Sequence, residues 1–168
     1  MHDKLVIPLH LAQAPFYYQH DVDLSFLQEK RAPFREEILW ENGWLNEAPW
    51  EHPLTSVPNL FEEWEERLNV LEICYADRDT ASAHPVMIEQ TAALLSVLSW
   101  MNRCRVPGAD PDVFTTAAKD MRRVPSNAGG RLSFIISRPS HHHSFIQLKS
   151  LFVESRKQFA LIKIEEKN

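Results

Sequence analysis

Apolar residues recur at intervals of three and four over residues 57–78. The positions concerned are Phe61, Trp64, Leu68, Leu71 and Tyr75. This spacing places the side chains on one face of an α-helix, so we predict an amphipathic helix here. Ser56 is its predicted N-cap, and Pro58 would then fall near the first turn, where a proline is tolerated.

A second helix is predicted from about Pro85 to Arg103, and its pattern differs from the first. Its middle, TAALLSVLSWM, is apolar nearly all the way round. A helix on the surface keeps a polar face, so we expect this one to be central and buried.

Two shorter helices are predicted next. Asp110 followed by Pro111 is typical of a helix start and opens a helix over 111–121. Ser126 or Asn127 is the candidate cap of a further helix that covers GRLSFIIS (130–137) and has to end before Pro139. Its β-branched residues would also suit a strand, but no partner strand is evident, so a helix is preferred.

The first 55 residues are divided by prolines and rich in tryptophan. The prolines are Pro8, Pro15, Pro33, Pro49 and Pro53, and the tryptophans are Trp40, Trp44 and Trp50. Only short helices fit between the prolines, over about 23–30 and 34–42. We expect an arm packed on the helical core with the rings as anchors; an exposed patch for a partner is the alternative.

These patterns together predict an all-α fold in one domain. The chain has 168 residues, and its glycine content of 4 is too low for the tight turns of an antiparallel sheet. We predict an irregular bundle of four to five helices around the central apolar helix at about 85–103. Residues 1–55 form the N-terminal arm and residues 56–168 the helical domain.

Charge is distributed unevenly around a net value of −5. Residues 1–80 contain 16 acidic and 6 basic residues, whereas residues 81–168 contain 7 acidic and 12 basic ones. Either the halves neutralise each other in the fold, or the basic segment 103–138 is free for an anionic partner.

The location is predicted to be cytoplasmic. No run of about 18 apolar residues is present, and the first residues do not fit a signal peptide, so we expect no membrane span. The cysteines Cys74 and Cys104 are far apart and are expected to be free thiols. No phosphate-binding loop or dinucleotide fingerprint is present, and we expect no cofactor.

Three consecutive histidines, His141, His142 and His143, open the last predicted helix, which covers about 141–164. Neighbours on a helix differ in direction by about 100°, so the three imidazoles should point apart and no metal site is expected. Ser140 is the predicted N-cap, with the histidines in the first turn.

Two sets of residues are candidates for polar sites. Arg122, Arg123 and Arg131 surround a Gly-Gly pair at a predicted helix start, where an anion could bind. A solvated loop, or ion pairs with the acidic half, is the alternative. Glu89 is the one acidic residue of the central helix and could form a polar site with His143; an ordinary acidic residue near a helix start is the alternative.

Three strings in the chain resemble a known family. WENGWLNEAPWEHP, VPNLFEEWEER and RPSHHHSFIQLKSLFVES are similar to the YpoC-like family of uncharacterised proteins from Bacillus and its relatives, over roughly residues 20–160. The resemblance rests mainly on HSFIQL at 143–148 followed by LF at 151–152. It implies a bacterial, cytoplasmic protein and assigns no activity, cofactor or binding residue.

Three functions remain in consideration. The leading one is a non-enzymatic accessory protein that binds another protein. The second is nucleic-acid or polyanion binding through 103–138, with only weak binding expected because the acidic excess repels DNA. The third is an enzyme with a helical pocket that uses Glu89 and a histidine.

Overall fold

The computed structural model describes residues 3–29 and 31–167. Within them lie seven α-helices and two short strands. The helices are α1 (Leu24–Glu29), α2 (Arg35–Glu41), α3 (Pro53–Ala76), α4 (Thr80–Met101), α5 (Pro111–Ala118), α6 (Ala128–Ser137) and α7 (His142–Lys167). The strands are β1 (Lys4–Val6) and β2 (Asp21–Asp23), and a 3₁₀ turn covers Pro49–Glu51. The predicted all-α class is confirmed, and the segment GRLSFIIS lies within helix α6, as preferred over a strand. Asn127 is the N-cap residue of α6, although its side chain makes no capping hydrogen bond.

Helix α4 lies at the centre of the fold. It contacts α3, α6, α7 and the 3₁₀ turn. Leu94 and Leu98 are fully buried within it, and even Ser99 has no exposed surface. The Ser99 hydroxyl is satisfied by donating to the Leu95 carbonyl at 2.7 Å. A helix surrounded on several sides needs no polar face, which explains the unbroken apolar sequence.

Helices α3 and α4 both begin about one turn earlier than the sequence predicts. α3 starts at Pro53, and Ser56, the predicted N-cap, donates its hydroxyl to the Pro49 carbonyl at 2.7 Å instead. α4 starts at Thr80, where the Asp79 side chain accepts a hydrogen bond from Ser82 N–H. Asp79 is therefore the cap, and the expected start at Pro85 is wrong. A proline this close to a helix start disrupts only the first turn, and Thr80, Ala81 and Ser82 there are exposed, so that their backbone groups can be solvated.

A small antiparallel sheet is present that the low glycine content argued against. β1 and β2 pair with Lys4 opposite Asp23, Leu5 opposite Val22 and Val6 opposite Asp21. Scarce glycine disfavours a tight hairpin, but these strands are joined by residues 7–20, which do not form one. Leu5 is buried, so one face of the sheet lies on the core.

Aliphatic side chains attach the N-terminal arm to the core. Ile7, Leu11, Leu27 and Ile38 are almost completely buried and belong to the same hydrophobic cluster as the long helices. The tryptophans contribute less than expected: Trp40 and Trp50 form an edge-to-face pair 4.8 Å apart, and Trp44 is 49% exposed. Among the described residues, no helix has the length and apolarity needed to cross a membrane.

Candidate functional site

The predicted anion-binding arginines all contact carboxylates of α7. Arg122 lies 2.7 Å from Glu165, and Arg123 also pairs with Glu165. Arg131 lies 2.6 Å from Glu154. The hydrogen bond from Arg123 lowers the pKa of Glu165, and that from Arg131 lowers the pKa of Glu154. The guanidinium groups are therefore engaged within the C-terminal half itself, not by the acidic N-terminal half.

Gly129, the first glycine of the Gly-Gly pair, serves the packing of α5 against α6. A Cβ atom at Gly129 would lie 1.9 Å from Oγ1 of Thr115, so only glycine fits at this contact. A Cβ at Gly130 would meet the end of the Asn127 side chain. The close contact between α5 and α6 therefore accounts for Gly129 without an anion. Anion binding by the three arginines stays a prediction.

The three histidines are exposed at the start of α7 and do not diverge as simply as predicted. His141 and His143 both lie edge-on to the Phe134 ring, at 6.3 and 5.2 Å, whereas His142 lies 5.5 Å from the Tyr75 ring. His141 precedes the helix and its Nδ1 accepts the backbone N–H of His143 at 3.1 Å. His141, not Ser140, therefore provides the capping side chain.

Helix packing accounts for the aromatic contacts of these histidines. Tyr75 also stacks on Phe145 at 4.6 Å and donates its hydroxyl to the Ser140 carbonyl at 3.0 Å. Within residues 3–29 and 31–167, no group of three or more His, Cys, Asp or Glu side chains is arranged to hold a metal ion.

Glu89 shares a cleft with a histidine, but with a different one from that predicted. Its carboxylate accepts hydrogen bonds from Arg67 at 3.0 and 3.3 Å and from the Gln90 amide at 2.9 Å. It lines an open cleft of about 790 Å³ together with His84, whereas His143 does not line that cleft. The proposed pairing of Glu89 with His143 is therefore not formed across this cleft.

The same cleft has aromatic walls supplied by the N-terminal arm. It is lined by Phe16, Tyr18, Phe26 and Pro33, and these four residues also line a neighbouring cleft of about 390 Å³ that follows β2. We call the two clefts together the aromatic groove. Its rings are held from below, since Phe16 is buried and packs edge-to-face on Phe34 at 5.0 Å.

The rims of the aromatic groove are exposed. Tyr18 is 83% and Phe26 42% accessible to solvent. Sequence reasoning missed the groove. The run Pro15-Phe16-Tyr17-Tyr18 was the available signal, because three adjacent aromatic residues cannot all face a core.

A buried glutamate is a second feature that sequence reasoning missed. Glu37 on α2 has no exposed surface, and its Oε2 accepts hydrogen bonds from Trp100 Nε1 and Val106 N–H, both at 2.9 Å. Burial raises the pKa of Glu37 to about 7, against the opposing effect of these hydrogen bonds. Its position three residues after Phe34, on the apolar side of α2, was the available signal.

Arg105 completes this buried cluster from the loop after α4. Its guanidinium lies over the rings of Trp40 and Trp50, at 5.6 and 5.3 Å, and bonds Glu41 at 3.0 Å. Nε of Arg105 lies 3.8 Å from Glu37. The cluster joins the arm to the loop after α4, so we interpret it as structural.

Comparison with known proteins covers the helical part of the chain. The model of the family described as YpoC-like protein matches residues 54–167. A curated protein from Bacillus subtilis (strain 168), Uncharacterized protein YpoC, is 30% identical over 113 residues, which are 67% of this chain and 68% of that protein. No solved structure is significantly similar.

The family match covers residues 54–167, whereas the resemblance seen in the sequence spans roughly residues 20–160. It begins at residue 54, so the Trp- and Pro-containing string before it lies outside, whereas HSFIQL at 143–148 lies inside. Most of the aromatic groove thus comes from the unmatched arm, and α3 and α4, which complete it, come from the matched region. Because that region covers well over half of the sequence, the chain belongs to the YpoC-like family.

Proposed function

We propose that this protein is a non-enzymatic accessory protein that binds another protein through the aromatic groove. The observation that carries the proposal is the exposure of Tyr18 and Phe26 on the walls of a wide concave surface. Aromatic side chains are enriched where protein interfaces lose water, and removing their apolar surface from water favours association.

The groove is held ready for a partner by its supporting contacts. Tyr17 donates its hydroxyl to the Pro33 carbonyl at 2.6 Å, which fixes the loop that carries Tyr18. Phe16 and Phe34 support the floor. A surface that is fixed before binding loses less conformational entropy when the partner docks.

The other two functions have weaker support. In the segment 103–138, Arg103, Arg105, Arg122, Arg123 and Arg131 all contact carboxylates. A polyanion would have to replace these contacts. The carboxylate of Glu89 is already paired with Arg67, which gives a catalytic role little support. We also propose a cytoplasmic setting, because free thiols at Cys74 and Cys104 suit a reducing compartment.

The test is quantitative affinity capture with three forms of the chain. The groove variant is Tyr18→Ala with Phe26→Ala. The control is Leu161→Ala with Ile164→Ala, which removes side chains of similar exposure, 46% and 58%, from α7. We expect at least one protein to bind the wild type and the control and to be lost with the groove variant.

Reconstitution decides whether the captured interaction is direct. The captured protein is purified and its Kd measured by calorimetry against all three forms. We expect the groove variant to bind at least about tenfold more weakly, as the loss of aromatic interface anchors does. Equal affinity for the wild type and the groove variant would place the interface elsewhere and overturn the proposal.

A further inference from the structure

We infer that the aromatic groove accepts an extended segment of the partner, which adds as a strand to the outer edge of β2 and alternates apolar with basic side chains. This inference rests on the proposed function and specifies the kind of partner. It combines an open strand edge, an apolar cleft along that edge, and acidic side chains on one face of the strand.

The hydrogen bonds around the sheet show that β2 has an open edge. Ile7 N–H donates to the His20 carbonyl and Leu24 N–H to the Asp3 carbonyl, both at 2.8 Å. In an antiparallel pair, hydrogen-bonded positions alternate, so Leu5 and Val22 are the bonded pair within the register. The backbone N–H groups of Asp21 and Asp23 therefore point away from β1.

On the opposite edge of the sheet, the outward-facing backbone groups of β1 are hydrogen-bonded. On β1, the outward N–H of Val6 donates to the Asn42 side chain at 3.0 Å, and the outward carbonyl of Val6 accepts from it at 2.9 Å. Asn42 thus closes the β1 edge in the way a neighbouring strand would. Within the described residues, the N–H groups of Asp21 and Asp23 have no such partner, and an unpaired strand edge is a template for strand addition.

The smaller cleft of the groove lies along this open edge. All three residues of β2 line it, with an aromatic wall of Phe16, Phe26 and Pro33, and Lys4 and Gln19 line its polar side. Val22 shares the core-facing side of the sheet with Leu5, and it packs against the hydrophobic cluster that contains Leu5 and Phe16. Side chains of an added strand alternate between the two faces, so every second one would lie on the side of Val22, towards the aromatic wall of the cleft.

The remaining side chains of the added strand would lie beside Asp21 and Asp23. Lys4 lies 3.5 Å from Asp21, so the solvent face of this sheet carries two carboxylates and one ammonium group. Residues 1–55 as a whole contain 9 acidic and 4 basic residues. A partner with Lys or Arg at alternate positions complements this charge.

Antiparallel addition is the expected orientation, because it forms the stronger ladder. In that orientation the basic residues lie opposite Asp21 and Asp23, and their own N–H groups face β2. The apolar residues between them lie opposite Val22, and their N–H groups face away.

The test uses a short capped peptide in which Lys alternates with Val and Phe, titrated into the full chain by calorimetry. The composition control carries the same residues with all lysines in one block. In two further peptides the backbone nitrogens are methylated, in one peptide at the lysines and in the other at the apolar residues. We expect the alternating peptide to bind at least about tenfold more tightly than the block peptide, and methylation of the lysines to weaken it about tenfold or more. Methylation of the apolar residues should change Kd less than about threefold.

Protein variants and hydrogen exchange provide independent readouts. Asp21→Asn with Asp23→Asn keeps side-chain size and should weaken binding several-fold, with a smaller dependence on salt. Bound peptide should slow amide exchange at Asp21 and Asp23. The Leu161→Ala, Ile164→Ala control should bind like the wild type.

The outcomes separate this inference from the proposed function. Equal effects of both N-methylated peptides, or equal binding of the alternating and block peptides, overturn strand addition. If a captured partner still depends on Tyr18 and Phe26 in that case, the groove binds protein in another way and the proposed function stands. If capture is also independent of those two residues, both proposals are wrong.

Discussion

The indole N–H of Trp100 donates a 2.9 Å hydrogen bond to Oε2 of Glu37, which lies 63 residues earlier in the chain. The bond links the end of the central helix α4 to the short helix α2 of the arm. Val106 N–H donates to the same oxygen, so one buried carboxylate connects three segments of the chain.

Replacing Glu37 by Gln should remove part of the pH dependence of stability. The pKa of Glu37 in the fold is about 7, above the ordinary value of 4.5, so the folded chain binds this proton more tightly than the unfolded chain. The contribution is therefore fully present below about pH 4.5 and is lost as pH rises through 7, by up to about 3 kcal/mol. We expect the free energy of unfolding of Glu37→Gln, relative to the wild type, to increase between pH 5 and pH 8 by an amount of that order.

Urea unfolding at several pH values measures this difference. Glu47→Gln is the control, because its side chain is 76% exposed and its loss removes one carboxylate without touching the buried cluster. A difference between Glu37→Gln and the wild type that stays constant across this range would show that Glu37 is ionised throughout.

Leu94→Ala or Leu98→Ala should lower the free energy of unfolding by roughly 2–5 kcal/mol each. Both side chains have no exposed surface and lie in the helix that contacts α3, α6 and α7. Leu161→Ala, at a position that is 46% exposed, should cost much less. Denaturant unfolding decides, and losses below about 1 kcal/mol at both central positions would contradict the buried position of α4.

Gly129→Ala should destabilise the protein by about 1–3 kcal/mol through overpacking, although alanine is the better helix former. The new Cβ would lie 1.9 Å from Oγ1 and 2.8 Å from Cβ of Thr115, which is too close without moving α5 from α6. Gly130→Ala is the matched control, because its Cβ would meet only the end of the Asn127 side chain. If thermal unfolding shows the two variants to be equally stable, close α5–α6 packing does not explain Gly129.

Glu165→Gln should increase non-specific DNA binding at low salt. The carboxylate of Glu165 engages both Arg122 and Arg123, and its neutralisation would leave those guanidinium groups available to phosphates. For the wild type we expect only weak binding that is lost near 0.15 M salt. Fluorescence anisotropy across a salt series measures both. Submicromolar binding by the wild type at that salt concentration, abolished by Arg122→Ala with Arg123→Ala, would favour the nucleic-acid function instead.

Much of the helical architecture could be predicted from local sequence. Periodicity located the helices now seen at Pro53–Ala76, Thr80–Met101 and His142–Lys167, because apolar spacing directly reflects which side of a helix is buried. The helix starts were predicted less well. The sequence predicts that α4 starts near Pro85, whereas Asp79 caps α4 about one turn upstream of that proline.

The candidate site was predicted poorly because it depends on contacts between distant segments. The sequence predicts Arg131 as part of an anion site, whereas its partner in the fold is Glu154, 23 residues away and on another helix. The sequence predicts a polar site of Glu89 with His143, whereas the histidine that shares a cleft with Glu89 is His84, on the same helix. Nothing in local spacing identifies which carboxylate a long, flexible guanidinium will reach.

The sequence by itself determined the helical class, the buried central helix and the family, since these depend on periodicity and on residue strings that can be read directly. Tertiary structure alone decided the pairing of β1 with β2, the burial of Glu37 and the aromatic groove. Leu5 pairs with Val22 between two strands, and Phe16 and Ile88 line one cleft although they are far apart in the chain. The physical reason is that burial is a property of the assembled surfaces, so a glutamate or a tyrosine acquires its environment only when distant elements meet.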